Sequence, residues 1–322
     1  MRTHQIVTTG QQVARVRVVS GAFRGQVADT INYLGGKMEM DEHYRPGQLV
    51  LIEYNLQDGR MLDARTRGVL RLQWQAGLVV LFAVLLLALA GWTGFNALLT
   101  FVFVALLLWR VFFPLMLRGY PPLGTGLALT TLLVALVTLS IGGLNRRGLA
   151  AFLGTMLGVL VTCGLAVVCT RAFQIHGAVR PFAETLLYGG YFTLDLTRIF
   201  IASVFIASSG AIMDLAMDIA SAMHEVWELH PEISRVAHVR SGLRVGRAVI
   251  GTMTTTLLLA YSGTHMTMCM LFIARGLPMA NILNLPMVSA EVLNTLVGSF
   301  GLITAAPFTA LVAGLLYKPA AR

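Results

Sequence analysis

Six long stretches of this chain contain no Asp, Glu, Lys or Arg, and they limit its fold more than any other feature. They are residues 72–109, 119–145, 148–170, 199–213, 248–274 and 292–317. A helix needs about 20 apolar residues to cross the hydrocarbon core of a bilayer. A helix on a soluble core instead keeps a charged face towards water. The chain is therefore predicted to be an α-helical polytopic membrane protein.

Seven spanning helices are expected within a helical domain that covers residues 71–322. The segment 177–193 is interrupted by Pro181, Glu184 and a glycine pair, so we expect it to lie at the membrane interface. Residues 214–246 are predicted to form a helix that leaves the fifth span, followed by a polar loop. The expected spans are residues 75–91, 95–117, 122–142, 149–171, 194–212, 247–273 and 288–316.

Residues 1–70 have a different pattern and are predicted to form a small all-β domain, OB-like or a barrel, outside the cytoplasm. Residues 13–20 alternate between apolar and polar side chains, as in a strand. Gly35-Gly36 and Asp58-Gly59 are typical of hairpin turns, and Pro46-Gly47 precedes an apolar run. The unit is expected to close within residues 10–64 and to fold by itself.

The net charge of +9 is carried almost entirely by arginine. A basic excess can indicate nucleic-acid binding, but charged residues make up only 12% of this chain and aromatic residues for base stacking are few in the β domain. The arginines are better explained as loop residues near lipid headgroups. We expect a multi-pass protein of a bacterial inner or plasma membrane, with the lipid bilayer and no nucleic acid as partner. Residues 1–9 contain no apolar run, so no signal peptide is expected there.

Acidic residues recur at helical spacing after the fifth span. Asp214, Asp218, Ser221 and Glu225 are four, three and four residues apart, which places them on one stripe of a helix. Acidic groups at membrane depth usually face a bundle interior or a water-filled path. They are therefore candidates for a proton or ion relay. The alternative is that the helix has already left the lipid and that these are interfacial charges.

Two further segments contain polar and small residues. Arg244 and Arg247 stand before the sixth span, either as partners of the acids or as interface anchors. Glu291 is the acidic residue of the last span, as a relay group or as a helix cap. Small and hydroxyl residues are common packing residues between membrane helices. The candidates for a polar cavity and for helix packing are Ser221, Gly251, Thr252, Thr255, Ser262, Gly263, Asn294, Gly298, Ser299, Gly301 and Pro307.

No motif indicates an enzyme, a metal site or a cofactor. His224, Glu225, Glu228, His230 and His238 are close in sequence, but their spacing matches no zinc motif. We expect them in a solvated loop at the interface. The chain contains no nucleophile elbow and no phosphate-binding loop, so it is not predicted to be an enzyme.

The chain resembles the YibE/F family of bacterial multi-span membrane proteins. The first matching segment runs from Gly210 through Asp214 and Asp218 to Glu225. The others contain Ser241-Gly242, Gly246-Arg247, Gly251-Thr252-Met253, the run 256–261, Glu291, the run 296–299, Gly301 and Pro307. The resemblance implies a transport-type membrane protein of unestablished substrate, with a β domain outside the cytoplasm. A weaker similarity, to the membrane half of the SecD/SecF export subunits and RND-type transporters, favours a cytoplasmic position for residues 220–246.

The leading hypothesis is an ion-coupled transporter or permease-like protein of unknown substrate. In it, Asp214, Asp218 and Glu291 face a common polar cavity between the fifth, sixth and seventh spans. Arg247 is the counter-charge at the cytoplasmic mouth of that cavity, and H⁺ or another small ion is the coupling ligand. The alternative is an accessory protein that does not transport and that aids export or assembly of other proteins. Either can act as a homo-oligomer or with a membrane partner protein.

Overall fold

The structure, a computed structural model, describes residues 8–36, 41–57 and 60–317, and it is mostly helical (71%) with a small N-terminal sheet. The chain divides into two compact units, Met1–Leu85 and Leu86–Arg322. The sheet belongs to the first unit. The predicted Asp58-Gly59 turn and the C-terminal charges Lys318 and Arg322 lie outside the described residues.

The sheet has four strands, β1 (Thr9–Arg17), β2 (Val27–Gly35), β3 (Val50–Gln57) and β4 (Arg60–Val69), in the order β1-β2-β4-β3. Two antiparallel pairs, β1 with β2 and β3 with β4, are joined by a parallel contact between β2 and β4. Gly35 ends β2, and the next strand does not pair with β2, so the predicted hairpin turn at Gly35-Gly36 is wrong. The small N-terminal sheet is shown, and the finer OB-like barrel stays a prediction.

Glu42 joins the segment before β3 to the end of β4. Its carboxylate accepts a hydrogen bond from the Val69 amide at 2.8 Å and pairs with Arg71 at 2.5 Å. The Val69 amide hydrogen bond, which has the largest effect, lowers the pKa of Glu42 below its ordinary value of 4.5; partial burial opposes this, and the Arg71 pair lowers the pKa further. Because the charged form is favoured in the folded state, Glu42 stabilises the sheet above about pH 4.5 and stops doing so as the pH falls further.

The first prediction concerns this domain. A fragment of residues 1–71 is expected to give a β-type circular dichroism spectrum, with a melting temperature that falls between pH 7 and pH 3. Glu42→Gln should lower the melting temperature at pH 7 and make it less dependent on pH. Asp29→Asn is the control, since Asp29 pairs with Arg15 on the exposed surface and such pairs contribute little. A disordered fragment would contradict a self-sufficient domain.

The described residues after the sheet form ten α-helices. They are α1 (Leu72–Leu107), α2 (Phe113–Leu117), α3 (Pro122–Gly142), α4 (Arg146–Ala172), α5 (Ala183–Tyr188), α6 (Leu196–Leu229), α7 (Arg235–Thr264), α8 (Met266–Ala274), α9 (Met279–Asn284) and α10 (Pro286–Leu316). A π-helical turn, Leu108–Phe112, joins α1 to α2. A short 3-10 turn, Gly177–Val179, lies between α4 and α5.

Five of these elements are long and apolar enough to cross a membrane, which fits a multi-pass membrane protein. They are Leu72–Leu117, Pro122–Gly142, Arg146–Ala172, Leu196–Leu229 and Pro286–Leu316. The pair α7 and α8 passes the same test, with a bend of 66° between the two helices. The expected number of seven spans stays a prediction.

A break at Gly91 lies between the first two expected spans. Gly91 has φ 52° and ψ −126°, which is not helical. A Cβ atom on Gly94 would lie 2.4 Å from the Leu86 carbonyl oxygen. In a straight helix Leu86 and Gly94, which are eight residues apart, would be separated by about 12 Å along the axis. The chain therefore turns back sharply at Gly91, where a glycine tolerates positive φ without strain.

Close glycine contacts fix the directions of the helices in the second unit. Helices α3, α6 and α10 run in one direction, and α4 and α7 run in the other. The contacts that show this are Gly126 with Phe205 and Gly142 with Met217, Gly298 with Ser208 and Gly301 with Ile212, Gly154 with Thr309 and Gly158 with Ala305, and Gly246 with Ala306 and Gly314 with Val239. Helix α6 lies at the centre and packs on the other four helices. Its Ile212, Leu215 and Ile219 are fully buried.

This arrangement gives the bundle two ends. The cavity end contains the starts of α3, α6 and α10 and the ends of α4 and α7. The arginine end contains the other five termini, with Arg146 at the start of α4 and Arg235 at the start of α7.

The second prediction concerns orientation. We expect the arginine end to be cytoplasmic, because the sequence favours a cytoplasmic position for residues 220–246, which include Arg235 and lie at this end of the bundle. In a variant without Cys163, Cys169 and Cys269, Arg235→Cys should react with a membrane-impermeant thiol reagent only after the cells are opened. Glu184→Cys, at the cavity end, should react in intact cells. Labelling of position 235 from outside would reverse the orientation.

Candidate functional site

The break between α7 and α8 is the main irregularity of the bundle outside Gly91. His265 stands at the junction with φ −111° and ψ 16°, and the two helices diverge by 66°. The expected span 247–273 contains this bend. Broken helices at membrane depth occur where the freed backbone is buried in protein or lines a water-filled cavity. The surroundings of His265 therefore indicate a functional site.

An ion cluster lies beside the break. The Arg180 guanidinium donates a hydrogen bond to Glu291 Oε1 through Nη1, and His265 Nε2 lies 3.5 Å from the same oxygen. The Glu291 side chain is only 15% exposed. Arg180 also lies over the Phe200 ring, with its guanidinium carbon 5.2 Å from the ring centroid. Three elements thus meet at one carboxylate: the segment before α5, the α7–α8 junction and α10.

The contacts around His265 orient its ring. The Thr264 hydroxyl donates to the Tyr261 carbonyl oxygen at 2.8 Å. His265 Nδ1 lies 2.9 Å from the Thr264 hydroxyl oxygen and 3.1 Å from the Tyr261 carbonyl oxygen. Since a carbonyl oxygen can only accept, this geometry suits an N–H at Nδ1. The other ring nitrogen, Nε2, faces Glu291 Oε1.

A cavity of about 620 Å³ opens next to this cluster. Asn294, one helical turn from Glu291, lines it and is 3% exposed. Asn294 Oδ1 and Glu291 Oε2 are both buried, and neither has a hydrogen-bond partner among the described residues. A buried oxygen acceptor without a donor is costly. The site therefore offers two acceptor oxygens to a proton, a cation or another hydrogen-bond donor.

The acids of α6 lie on a different surface. Asp214, Asp218 and Glu225 are on the exposed side of α6 and do not line the cavity that contains Glu291. Ala207, which does line it, precedes Asp214 by seven residues, about 10 Å along the helix. The structure thus puts Glu291 and the α6 acids on different surfaces, and their joint role as a relay stays a prediction.

Arg247 lies at the arginine end, in a groove beside Arg240 and Arg244. Among the described residues it forms no ion pair with an acid, so the suggested pairing with Asp218 or Glu225 is not seen. Its role as a counter-charge to Glu291 therefore has no geometric support, because Glu291 is at the opposite end of the bundle.

The predicted packing residues fall into two groups. Asn294, Gly298 and Gly301 are buried on α10, and Ser221 and Ser299 are half-buried. The others are exposed on the described surface: Gly251, Thr252, Thr255, Ser262, Gly263 and Pro307. Helix α10 continues through Pro307.

The prediction of a solvated loop is wrong for His238. This residue lies within α7 and is 1% exposed, and its Nε2 is 2.8 Å from the Met223 carbonyl oxygen. His224 also lies in a helix, α6, 3.2 Å from Glu228. No cluster of three or more potential metal ligands is present in the part of the chain that the structure describes.

Sequence reasoning did not identify Arg180 or His265 as site residues. Arg180 is 111 residues from Glu291, in a segment expected only to rest at the interface. His265 lies inside the charge-free stretch 248–274. A single histidine in such a stretch was the available signal, because polar residues at membrane depth are costly and usually functional.

Comparison with known proteins agrees with the resemblance in the sequence. The YibE/F-like protein family matches residues 78–319. The chain belongs to this family. The matched range contains the whole second-unit bundle described above, and with it Arg180, His265, Glu291 and Asn294 of this YibE/F-like protein. No curated protein and no solved structure matches the chain.

Proposed function

We propose that this YibE/F-like protein is a membrane transporter coupled to protons or another small cation, with Glu291 as the residue that binds and releases the coupling ion. The observation that carries the proposal is the Arg180–Glu291–His265 cluster at a broken helix. A mostly buried carboxylate that contacts a guanidinium group and an imidazole, beside a cavity with two buried acceptor oxygens, is suited to reversible cation binding.

The cluster suggests how binding is linked to movement. With Glu291 ionised, Arg180 is its partner and holds the segment before α5 against α10. A proton or cation on Glu291 competes with Arg180 for the carboxylate, which frees that segment from the cavity wall. A ligand that binds the two arrangements with different affinity shifts the equilibrium between them. This is the requirement for coupling an ion gradient to a change of access.

A test of the proposal does not need the transported solute. Vesicles containing the protein are adsorbed to a supported membrane, and the external pH is stepped. Proton binding within the membrane is expected to give a transient current that protein-free vesicles lack. Solutes can then be screened for those that convert the transient into a sustained current. Absence of any protein-dependent current with every solute would contradict coupled transport and favour the accessory-protein alternative.

A further inference from the structure

A second concave surface lies at the arginine end, between α7 and α10. This arginine groove has a volume of about 550 Å³. Four arginines line it, Arg235, Arg240, Arg244 and Arg247, together with six apolar residues or glycine: Val236, Val239, Leu243, Leu311, Gly314 and Leu315. No acidic side chain is among these lining residues.

No acidic partner of the four guanidinium groups is found in the part of the chain that the structure describes. Within the described ranges 8–36, 41–57 and 60–317, none of them forms an ion pair. Arg240, Arg244 and Arg247 are exposed and are four and three residues apart on α7, so they form one stripe about 10 Å long. Like charges on such a stripe repel one another, so an anion that binds between them removes an unfavourable interaction.

The other wall of the groove is apolar. Leu311 and Leu315 of α10 are 52% and 66% exposed. Helices α7 and α10 are in close contact at Gly314, where an added Cβ atom would lie only 2.4 Å from Val239 Cγ2. The charge-free stretch of α7 begins directly after Arg247. The arginines therefore stand at the edge of the apolar region, where lipid headgroups lie.

We propose that the arginine groove binds one anionic phospholipid. Its phosphate lies among Arg240, Arg244 and Arg247, and its acyl chains lie along Leu311 and Leu315. Basic pockets between membrane helices have the chemistry that binds such headgroups, and guanidinium groups suit phosphate because they donate two parallel hydrogen bonds. A free phosphate ion would satisfy the arginines but make no use of the apolar wall.

The test uses the full-length purified protein in a neutral detergent, titrated with phosphatidylglycerol, phosphatidylcholine or inorganic phosphate. Bound lipid is counted by native mass spectrometry, and thermal unfolding is recorded in parallel. Wild-type protein is expected to bind phosphatidylglycerol and to be stabilised by it, and to respond little to the other two. Equal binding of phosphatidylcholine, or equal stabilisation by inorganic phosphate, would overturn the proposal.

Three variants separate the groove from general surface charge. Arg244→Gln is expected to weaken phosphatidylglycerol binding about fivefold, and Arg244→Lys should weaken it less because the charge remains. Arg146→Gln is the matched control, since it removes one arginine at the same end of the bundle but outside the groove. If Arg146→Gln and Arg244→Gln weaken binding equally, the lipid is held only by diffuse charge and the groove is not its site.

Discussion

Replacing Gly301 with leucine is expected to prevent the helical bundle from packing. A Cβ atom at this position would lie 1.8 Å from Thr162 Oγ1 of α4 and 2.9 Å from Ile212 Cδ1 of α6. Thr162 and Ile212 are both fully buried, so neither side chain can move aside. Overpacking of a core typically costs about 1–3 kcal/mol, and a leucine against two helices should cost about 3 kcal/mol or more.

The measurement is thermal unfolding of the detergent-solubilised protein, with the monodisperse fraction in size-exclusion chromatography as a second readout. Gly251→Leu is the matched control, because no atom lies within 4 Å of a Cβ on Gly251. Leucine there should be neutral or should stabilise the helix by up to about 1 kcal/mol, because glycine is a poor helix former. Equal stability of the two variants would show that α4, α6 and α10 do not meet at Gly301.

Replacing Glu291 with glutamine is expected to abolish the current that follows a pH step. Glutamine has nearly the same shape as glutamate but cannot bind a proton or balance Arg180. The current should fall to the level of protein-free vesicles. Because Glu291 pairs with Arg180, whose side chain is 29% exposed, the variant leaves a partly buried positive charge without its partner. Its thermal stability therefore has to be measured with its current.

Two variants control this result. Glu184→Gln removes an exposed carboxylate from α5, at the same end of the bundle but outside the cavity lining, and it should keep the wild-type current. Arg180→Gln with Glu291→Gln removes both charges, so it should restore stability while the current stays absent. If Glu291→Gln folds normally and retains the current, Glu291 has only a structural role.

The sequence predicts the helical part of the fold better than the sheet, for a physical reason. A long apolar stretch without charges is compatible with few structures other than a buried or membrane-spanning helix. The helices α3, α4, α6 and α10 agree with the spans expected for them. Strand β2 gave no such signal, because the side chains that it buries include Thr30 and Asn32. The Thr30 hydroxyl donates a hydrogen bond to the Ala14 carbonyl oxygen, and the Asn32 amide donates one to the Glu42 carbonyl oxygen. An alternation of apolar and polar residues cannot reveal buried polar side chains of this kind.

The candidate site was predicted in part. Glu291 and Asn294 were identified because polar residues are rare in an apolar helix. Glu291 was expected to lie with Asp214 and Asp218 in one cavity, on the assumption that buried acids converge. The structure instead gives Glu291 the partners Arg180 and His265, which come from a loop and a helix break. Contacts between residues so far apart in sequence depend on how the helices pack, and this packing cannot be read from a single sequence.

We expect Glu291 to exchange a proton with solution through the cavity, and infrared difference spectroscopy of the protein in vesicles is the most direct test of this claim. Spectra recorded before and after acidification report which carboxylates become carboxylic acids. Wild-type protein is expected to show a protonated-carboxyl band that Glu291→Gln lacks and Glu184→Gln retains. Identical carboxyl bands in wild type and Glu291→Gln would contradict the claim, because Glu291 would then not change its protonation state.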